Sequence, residues 1–397
     1  MKLPLPDGDA LAYSEALKRR IADEIESGDG WIGFDRFMEI ALYAPGMGYY
    51  SGGAHKFGAA GDFVTAPEIS AAFSQTLGAQ AAQILALSAP QIVEVGAGSG
   101  RLAADLLLEL ELRDSLPERY FILELSGELR ERQRVTIGQN AAHLLARVNW
   151  LDRLPERFDG LVLANELLDA MPVHLVVWGS GGVDRTGDQT ILERGVGWRN
   201  NAFVWLDRPA EGRVLDRAQT LAAELLPPSG FISEINLAAA DWTAAWAGIL
   251  GKGALLLIDY GFPRHEYYHP QRDTGTLMCH YRHHAHGDPF FFPGLQDITA
   301  HVDFTAIVEA ACEAGLEAGM ELLGYTTQAA FLLNCGLTDV LARIPAEDHK
   351  RYLPQAQAAN KLISPAEMGE LFKVLALGKG IDATLIGFAQ GDRSATL

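Results

Sequence analysis

The sequence predicts an α/β protein: a doubly wound, Rossmann-like parallel sheet, preceded by an N-terminal helical region and interrupted by a β-rich insertion. Three observations carry this. From residue 91 onward, short apolar runs alternate with amphipathic stretches, the pattern of βαβ units whose strands are buried on both faces. Gln91–Val95 runs into Gly96-Ala97-Gly98-Ser99-Gly100 and then a helical stretch, a strand–turn–helix signal. Residues 172–208 break that rhythm with β-rich segments separated by glycines.

Taken in order, residues 11–28 form an amphipathic helix with Leu11, Leu17, Ile21 and Ile25 on one face, and Phe34–Tyr43 a second. A loop rich in glycine and aromatics occupies 45–61, and Pro67 opens an Ala-rich helix to about residue 87, with Glu68 complementing its dipole. Strands are expected at 91–95, 120–125, 147–151 and 160–164, with helices at 102–112 and 128–138 between them. Residues 173–178 and 202–206 belong to the β insertion. Helices at 214–226 and 237–250 lead to a strand at 253–259 and a loop over 260–301. A helix at 304–315, strands at 316–323 and 372–377, and a short helix at 328–333 complete the chain. The organisation expected is an N-terminal helical region with a cofactor-covering loop (1–88), a core (89–378) with the insertion 172–208 and a substrate-side loop 260–301, and a C-terminal tail (379–397).

Composition narrows the function. Among 397 residues, 32 Lys and Arg face 51 Asp and Glu, a formal charge of −19, which disfavours nucleic-acid partners. Cys279, Cys312 and Cys335 form no CxxC, as befits a reducing cytosol. No apolar run reaches the roughly 18–20 residues of a membrane span, and the first residues lack a signal or transit pattern, so a cytoplasmic protein without membrane insertion is expected. The oligomeric state is not legible.

The glycine turn is the strongest local signal. Glycines let the chain turn tightly and let a ligand approach, and the following helix offers free N–H groups. A nicotinamide dinucleotide fingerprint requires a small residue where Arg101 stands, which argues against an NAD-dependent oxidoreductase. Glu94 precedes the turn and Glu124 ends the next strand, 24 residues after Gly100. A carboxylate at Glu124 can accept both hydroxyls of a ribose. The pattern suits S-adenosylmethionine, whose amine and sulfonium are cationic. Gly96, Gly98, Gly100, Glu94 and Glu124 are therefore candidate contacts, joined by Leu151 and Asp152 beside the adenine. Trp150 fits either that role or core packing.

After the fourth strand comes Asn165-Glu166-Leu167-Leu168-Asp169, where open α/β sheets bind ligands. Glu166 and Asp169, three apart, project to one side of a helical turn, where capping and solvation are the ordinary alternative role.

Beyond these local patterns, Gly48-Tyr49-Tyr50, Gly61-Asp62-Phe63-Val64-Thr65-Ala66-Pro67-Glu68-Ile69-Ser70 and the glycine turn resemble the MidA-like family. So do Asn165-Glu166 with Asp169 and Pro172-Val173-His174, Asp259-Tyr260-Gly261, and Asp297-Ile298-Thr299-Ala300-His301. The resemblance spans residues 34–378. It implies a class I methyltransferase fold, S-adenosyl-L-methionine as cofactor, and methylation of arginine on a partner protein such as a respiratory complex I subunit. It also brings Thr65, Glu68 and Asn165 to the cofactor and Asp62 to the catalytic group. Ala97 and Ser99 depart from the family's usual Pro and Arg, and Ala66 from its usual Ser.

Arginine stays protonated at neutral pH, so its methylation calls for carboxylates that clamp and localise its charge. Glu166, Asp169 and Asp62 are the candidates, Glu166 first, with Asp297 and Asp303 behind them. Seven of the eleven histidines fall in 265–301, but their spacing matches no zinc pattern, so no metal site is expected. Phe290-Phe291-Phe292 suits either packing or a partner-binding tip. A non-catalytic cofactor-binding scaffold and a small-molecule methyltransferase are the alternative functions.

Overall fold

The computed structural model describes residues 3–52, 65–183, 189–314 and 320–397. Its central sheet is built from β1 (Gln91–Val95), β2 (Arg119–Leu123), β3 (Val148–Leu151), β4 (Phe158–Asn165), β5 (Leu250–Phe262), β6 (Glu321–Thr327) and β7 (Phe372–Lys379). The strand order is β6-β7-β5-β4-β1-β2-β3, with a short strand Val302–Asp303 beside β5. Strands β1 to β5 pair in parallel, whereas β7 runs antiparallel to both β5 and β6.

The apolar runs explain why this sheet is buried on both sides. Ile92, Leu161, Leu163 and Leu256 pack on one face against Leu77, Leu106 and Leu110 of helices Ala71–Leu87 and Arg101–Leu112. Val93, Val162, Leu255 and Leu257 pack on the other against Trp246, Phe304 and Ile307 of helices Leu237–Ile249 and Phe304–Ala314. From β1 the chain builds outward to β3, then returns to place β4 on β1's other side. That reversal opens a crevice at the carboxyl ends of β1 and β4.

A second sheet contains His174–Val183, Gln189–Arg199, Ala202–Pro209, Phe231–Ile235 and Ile32–Gly33. It therefore reaches beyond 172–208 in both directions. Leu17, Ile21 and Ile25 of helix Gly8–Ser27 share a core with Phe34, Phe37, Leu175 and Val196, so the N-terminal helices are fastened to this sheet. Leu11, expected on the same helical face, is exposed.

Several local expectations need correction. The helix expected from Pro67 is two helices, Ala66–Ile69 and Ala71–Leu87, broken at Ser70, whose extended backbone lets its Oγ cap Ala72 N–H at 3.2 Å. The loop over 260–301 contains a three-stranded antiparallel sheet of Met278–Tyr281, His284–His286 and Asp297–Thr299. Burial of Cys279 and Ile298 against the N-terminal helices holds it in place. Of the strand expected at 316–323, residues 316–319 lie outside the described residues, and the described strand runs over Glu321–Thr327. Helix His349–Ile363 was not foreseen. Residues expected as a tail pack inward: Leu385 and Phe388 are buried, and Arg393 N–H donates to Tyr325 C=O at 2.6 Å. Phe290 packs on Phe37 and Trp205, with ring centroids at 5.3 and 4.6 Å, which favours the packing role.

Candidate active site

The glycine turn lies at the mouth of the crevice. Gly96, Gly98 and Gly100 take φ of 69°, 51° and 82°, in the left-handed region that disfavours side chains. At Gly98 an added Cβ would meet no atom within 4 Å, so the space beside it is open to a ligand. At Gly100 it would come within 2.9 Å of Gln133 Cα, so this glycine serves close packing. Helix Ala66–Ile69 sits over the turn: Ser99 Oγ donates to the Glu68 carboxylate and accepts from Arg101 N–H at 3.3 Å. Thr65 begins that helix, its C=O accepting from Glu68 N–H at 2.9 Å. Asp62 lies outside the described residues.

Behind the turn is a buried polar chain. Glu124, directly after β2, accepts from Ser126 N–H at 2.9 Å and from Gln133 Nε2 at 3.1 Å; burial raises its pKa. Gln133 also donates to Gly98 C=O at 3.1 Å and accepts from Trp150 Nε1 at 2.9 Å. One fully buried amide thus joins the glycine turn, the candidate ribose carboxylate and the indole after β3. Sequence reasoning missed Gln133, though a signal exists: it interrupts the buried stripe Leu129, Gln133, Ile137 of helix Gly127–Asn140. Glu94 lies within β1 and accepts from Tyr120 OH at 2.6 Å, and burial lifts its pKa to about 7. Arg130 donates to the Glu124 and Leu151 carbonyls at 2.6 and 2.8 Å and pairs with Asp152 at 2.6 Å. The Asp152 side chain is 86% exposed, so it stands at the solvent rim rather than beside Glu124.

Across the crevice, the end of β4 supports a cluster of carboxylates. Glu166 adopts φ 52°, and its N–H donates to Ile258 C=O at 2.8 Å. Its Oε1 accepts from Ala66 N–H at 3.0 Å and Asn165 Nδ2 at 3.1 Å, while Oε2 is buried with no hydrogen-bond partner among the described residues. Asp259, at the end of β5, accepts from the amides of Leu167, Leu168 and Asp169 at 3.1, 2.9 and 3.3 Å and so fixes the turn. The Tyr260 hydroxyl is electrostatically linked to the Asp169 carboxylate, whose Oδ1 is also buried without a partner among the described residues. Asp297 joins from the three-stranded sheet, accepting from Tyr50 OH at 2.9 Å. Tyr50 stacks on Tyr43 with centroids 5.4 Å apart, and Tyr43 OH donates to Ala170 C=O at 2.9 Å. Asp303 is not part of the cluster; its carboxylate lies 3.8 Å from Arg264.

The electrostatics follow from this crowding. Burial, then repulsion from Asp169 and Asp297, lifts Glu166 to about 8. Burial lifts Asp169 to about 6, and burial with repulsion from Asp169 holds Asp259 well above the carboxylate range. Buried carboxylates with spare acceptor atoms favour a cation that could pair with them.

Elsewhere, His174 Nδ1 donates to Glu193 at 2.8 Å and lies 3.5 Å from Asp35. Burial opposes its charge, but these two carboxylates raise its pKa overall. The three side chains have spacing compatible with a metal ion. Their contacts are equally those of an imidazolium between two carboxylates.

Among the described residues, Arg101, the basic side chain next to the glycine turn in sequence, is turned onto Asp105 at 2.7 Å instead of toward a ligand. The acceptors of the crevice include Glu68, Glu124 and Asn165 Oδ1, which is buried and unpartnered among the described residues. That acceptor-rich lining fits the cationic cofactor S-adenosylmethionine and defines the chain as a methyltransferase-type protein. Comparison with known proteins makes this specific. The S-adenosyl-L-methionine-dependent methyltransferase family model matches residues 73–325, and the chain belongs to that family. A Burkholderia thailandensis protein crystallised with S-adenosyl-homocysteine is 54% identical over the whole of both chains, with a TM-score of 0.93. A native structure from the same organism, 53% identical, gives 0.90. Protein arginine methyltransferase NDUFAF7, mitochondrial, is 28% identical in Danio rerio over 91% of this chain and 86% of that protein. The Homo sapiens protein is 27% identical over 86% and 78%. S-adenosylmethionine is thus the cofactor. Among the described residues no helix is long and apolar enough to cross a membrane.

Proposed function

We propose that this chain is a protein-arginine N-methyltransferase of the class I fold, acting on a partner such as a respiratory complex I subunit. One observation carries the reading: among the described residues, Glu166 Oε2 and Asp169 Oδ1 are buried acceptors without donors, in a cluster whose burial calls for a cation. A guanidinium meets that demand, with planar N–H groups matched to carboxylates. The names of the mitochondrial relatives point the same way.

In this reading Gly96, Gly98, Glu94, Glu124, Leu151 and Asn165 hold the cofactor from below, Gly100 keeps the turn packed on Gln133, Asp152 stands at the outer rim, and Thr65 and Glu68 cover the cofactor. When bound, the cofactor supplies an electrophilic methyl group on a sulfonium. Glu166 and Asp169 orient the guanidinium so that one nitrogen faces that methyl, and Asp62 is the further carboxylate candidate for this role. A carbon–nitrogen bond forms as the carbon–sulfur bond breaks, and Glu166 takes the proton that the nitrogen sheds. The core of 89–378 carries this chemistry, while the N-terminal region, the insertion and 260–301 shape access to it.

Labelled S-adenosylmethionine incubated with an arginine peptide and its lysine counterpart tests the proposal. Label on the arginine peptide alone is expected. Tight peptide binding without transfer would favour the scaffold role, and label on neither peptide but on a metabolite would favour a small-molecule enzyme.

A further inference from the structure

A cleft of about 810 Å³ opens between the three-stranded sheet and helix His349–Ile363. Three elements that line it also carry or hold the carboxylate cluster. Tyr260 lines the cleft, and the charge of Asp169 acts on its hydroxyl. Ile69 lies on the helix whose Ala66 N–H holds Glu166, and Thr299 is two residues from Asp297. The cleft thus lies beside the elements that position Glu166 and Asp169.

The described lining of the cleft is largely apolar. Met278, Pro354, Met368, Leu371 and Phe372 contribute to its wall, and among the described residues the lysine and the carboxylate that line it are Lys361 and Glu367, of opposite sign. The two lining histidines favour their neutral forms. Burial, with Arg272 and Lys373 nearby, takes His301 down to about 4, and burial lowers His280. Selection for a cation thus belongs to the carboxylate cluster, and selection along the cleft falls to apolar contact.

Two lining side chains are also partly open to solvent: Met278 and Leu371 are 39% and 38% exposed. Apolar side chains left wet where an apolar cleft opens give an occupant surface to cover. A small molecule enclosed in the cleft would leave them wet; a longer occupant would cover them.

We propose that this cleft binds an extended segment of a partner protein in which the target arginine is flanked by aliphatic or aromatic residues, the guanidinium reaching the carboxylates while its neighbours line the cleft. The inference rests on the arginine reading of the cluster and adds the sequence context that the enzyme selects.

The test uses the full chain saturated with S-adenosyl-homocysteine and two fluorescent peptides, with arginine flanked by Leu and Val or by Gly and Ser. Burying two aliphatic side chains predicts at least about tenfold tighter binding of the first by anisotropy. Met278→Glu and Leu371→Glu, both at exposed positions, should each reduce that preference while leaving S-adenosyl-homocysteine affinity unchanged. Equal affinity for the two peptides, or a preference that survives in both variants, overturns the proposal. Transfer assays on the same peptides separate it from the catalytic reading. Equal methylation of both leaves the arginine reading standing and the cleft overturned. Cleft-dependent binding without methylation supports the cleft and removes the transferase reading.

Discussion

Ala66 N–H donates to Glu166 Oε1 at 3.0 Å, joining the helix above the glycine turn to the carboxylate cluster below it, one hundred residues apart in sequence. Among the described residues this bond and the Asn165 amide occupy Oε1 of Glu166 and leave Oε2 unpartnered. In the proposed reading the helix over the glycine turn and the carboxylate that receives the substrate are therefore coupled by one contact.

Glu166→Gln keeps an oxygen acceptor for Ala66 and removes the charge. Affinity for S-adenosyl-homocysteine, measured by calorimetry, should stay near wild type, while transfer falls by about a hundredfold or more. Transfer near the wild-type rate would remove Glu166 from the chemistry.

The raised carboxylates give stability a pH slope of known sign. Burial lifts Glu166 from its ordinary 4.5 to about 8, and Asp169 from 3.8 to about 6. Between those limits the folded chain holds more protons than the unfolded chain. The contribution is fully present below the unfolded values and is lost as pH rises through the folded ones. The ligand-free Tm should therefore fall between about pH 5 and about pH 8, and Glu166→Gln should flatten the slope. An equal slope in the variant would contradict the assignment. A cationic peptide needs ionised partners, so its affinity should rise over the same interval.

Gly100→Ala places a Cβ at φ 82° and 2.9 Å from Gln133 Cα. The strain should cost about 1–3 kcal/mol in denaturant unfolding and weaken S-adenosyl-homocysteine binding. Unchanged values for both would show that the turn tolerates a side chain.

Gln133→Leu removes the amide shared by Gly98, Glu124 and Trp150. Leaving those buried groups unpaired should cost about 1–3 kcal/mol of stability. Cofactor affinity should drop as well, measured at a temperature where the variant remains folded. Full affinity would reduce Gln133 to a packing residue.

What was legible in the sequence divides along physical lines. The glycine turn and the end of β4 were readable because strand, turn and helix there are contiguous in the chain. Tyr43 and Tyr50 were not, since their partners Ala170 and Asp297 lie 127 and 247 residues away. Asp259 holds the Glu166 turn from about ninety residues downstream, and no local pattern announces that. The three-stranded sheet escaped notice because its strands are only three or four residues long, too short for alternation to register. The break at Ser70 was hidden by alanines that favour helix on the Ala71 side.

The central claim is that Glu166 and Asp169 receive a guanidinium. It is tested most directly by locating the transferred methyl group with tandem mass spectrometry after incubating wild type and Glu166→Gln with S-adenosylmethionine and an apolar-flanked arginine peptide. The account predicts the added mass on the arginine side chain with wild type and almost none with the variant. Methylation of a different residue, or equal arginine methylation by both proteins, would contradict it.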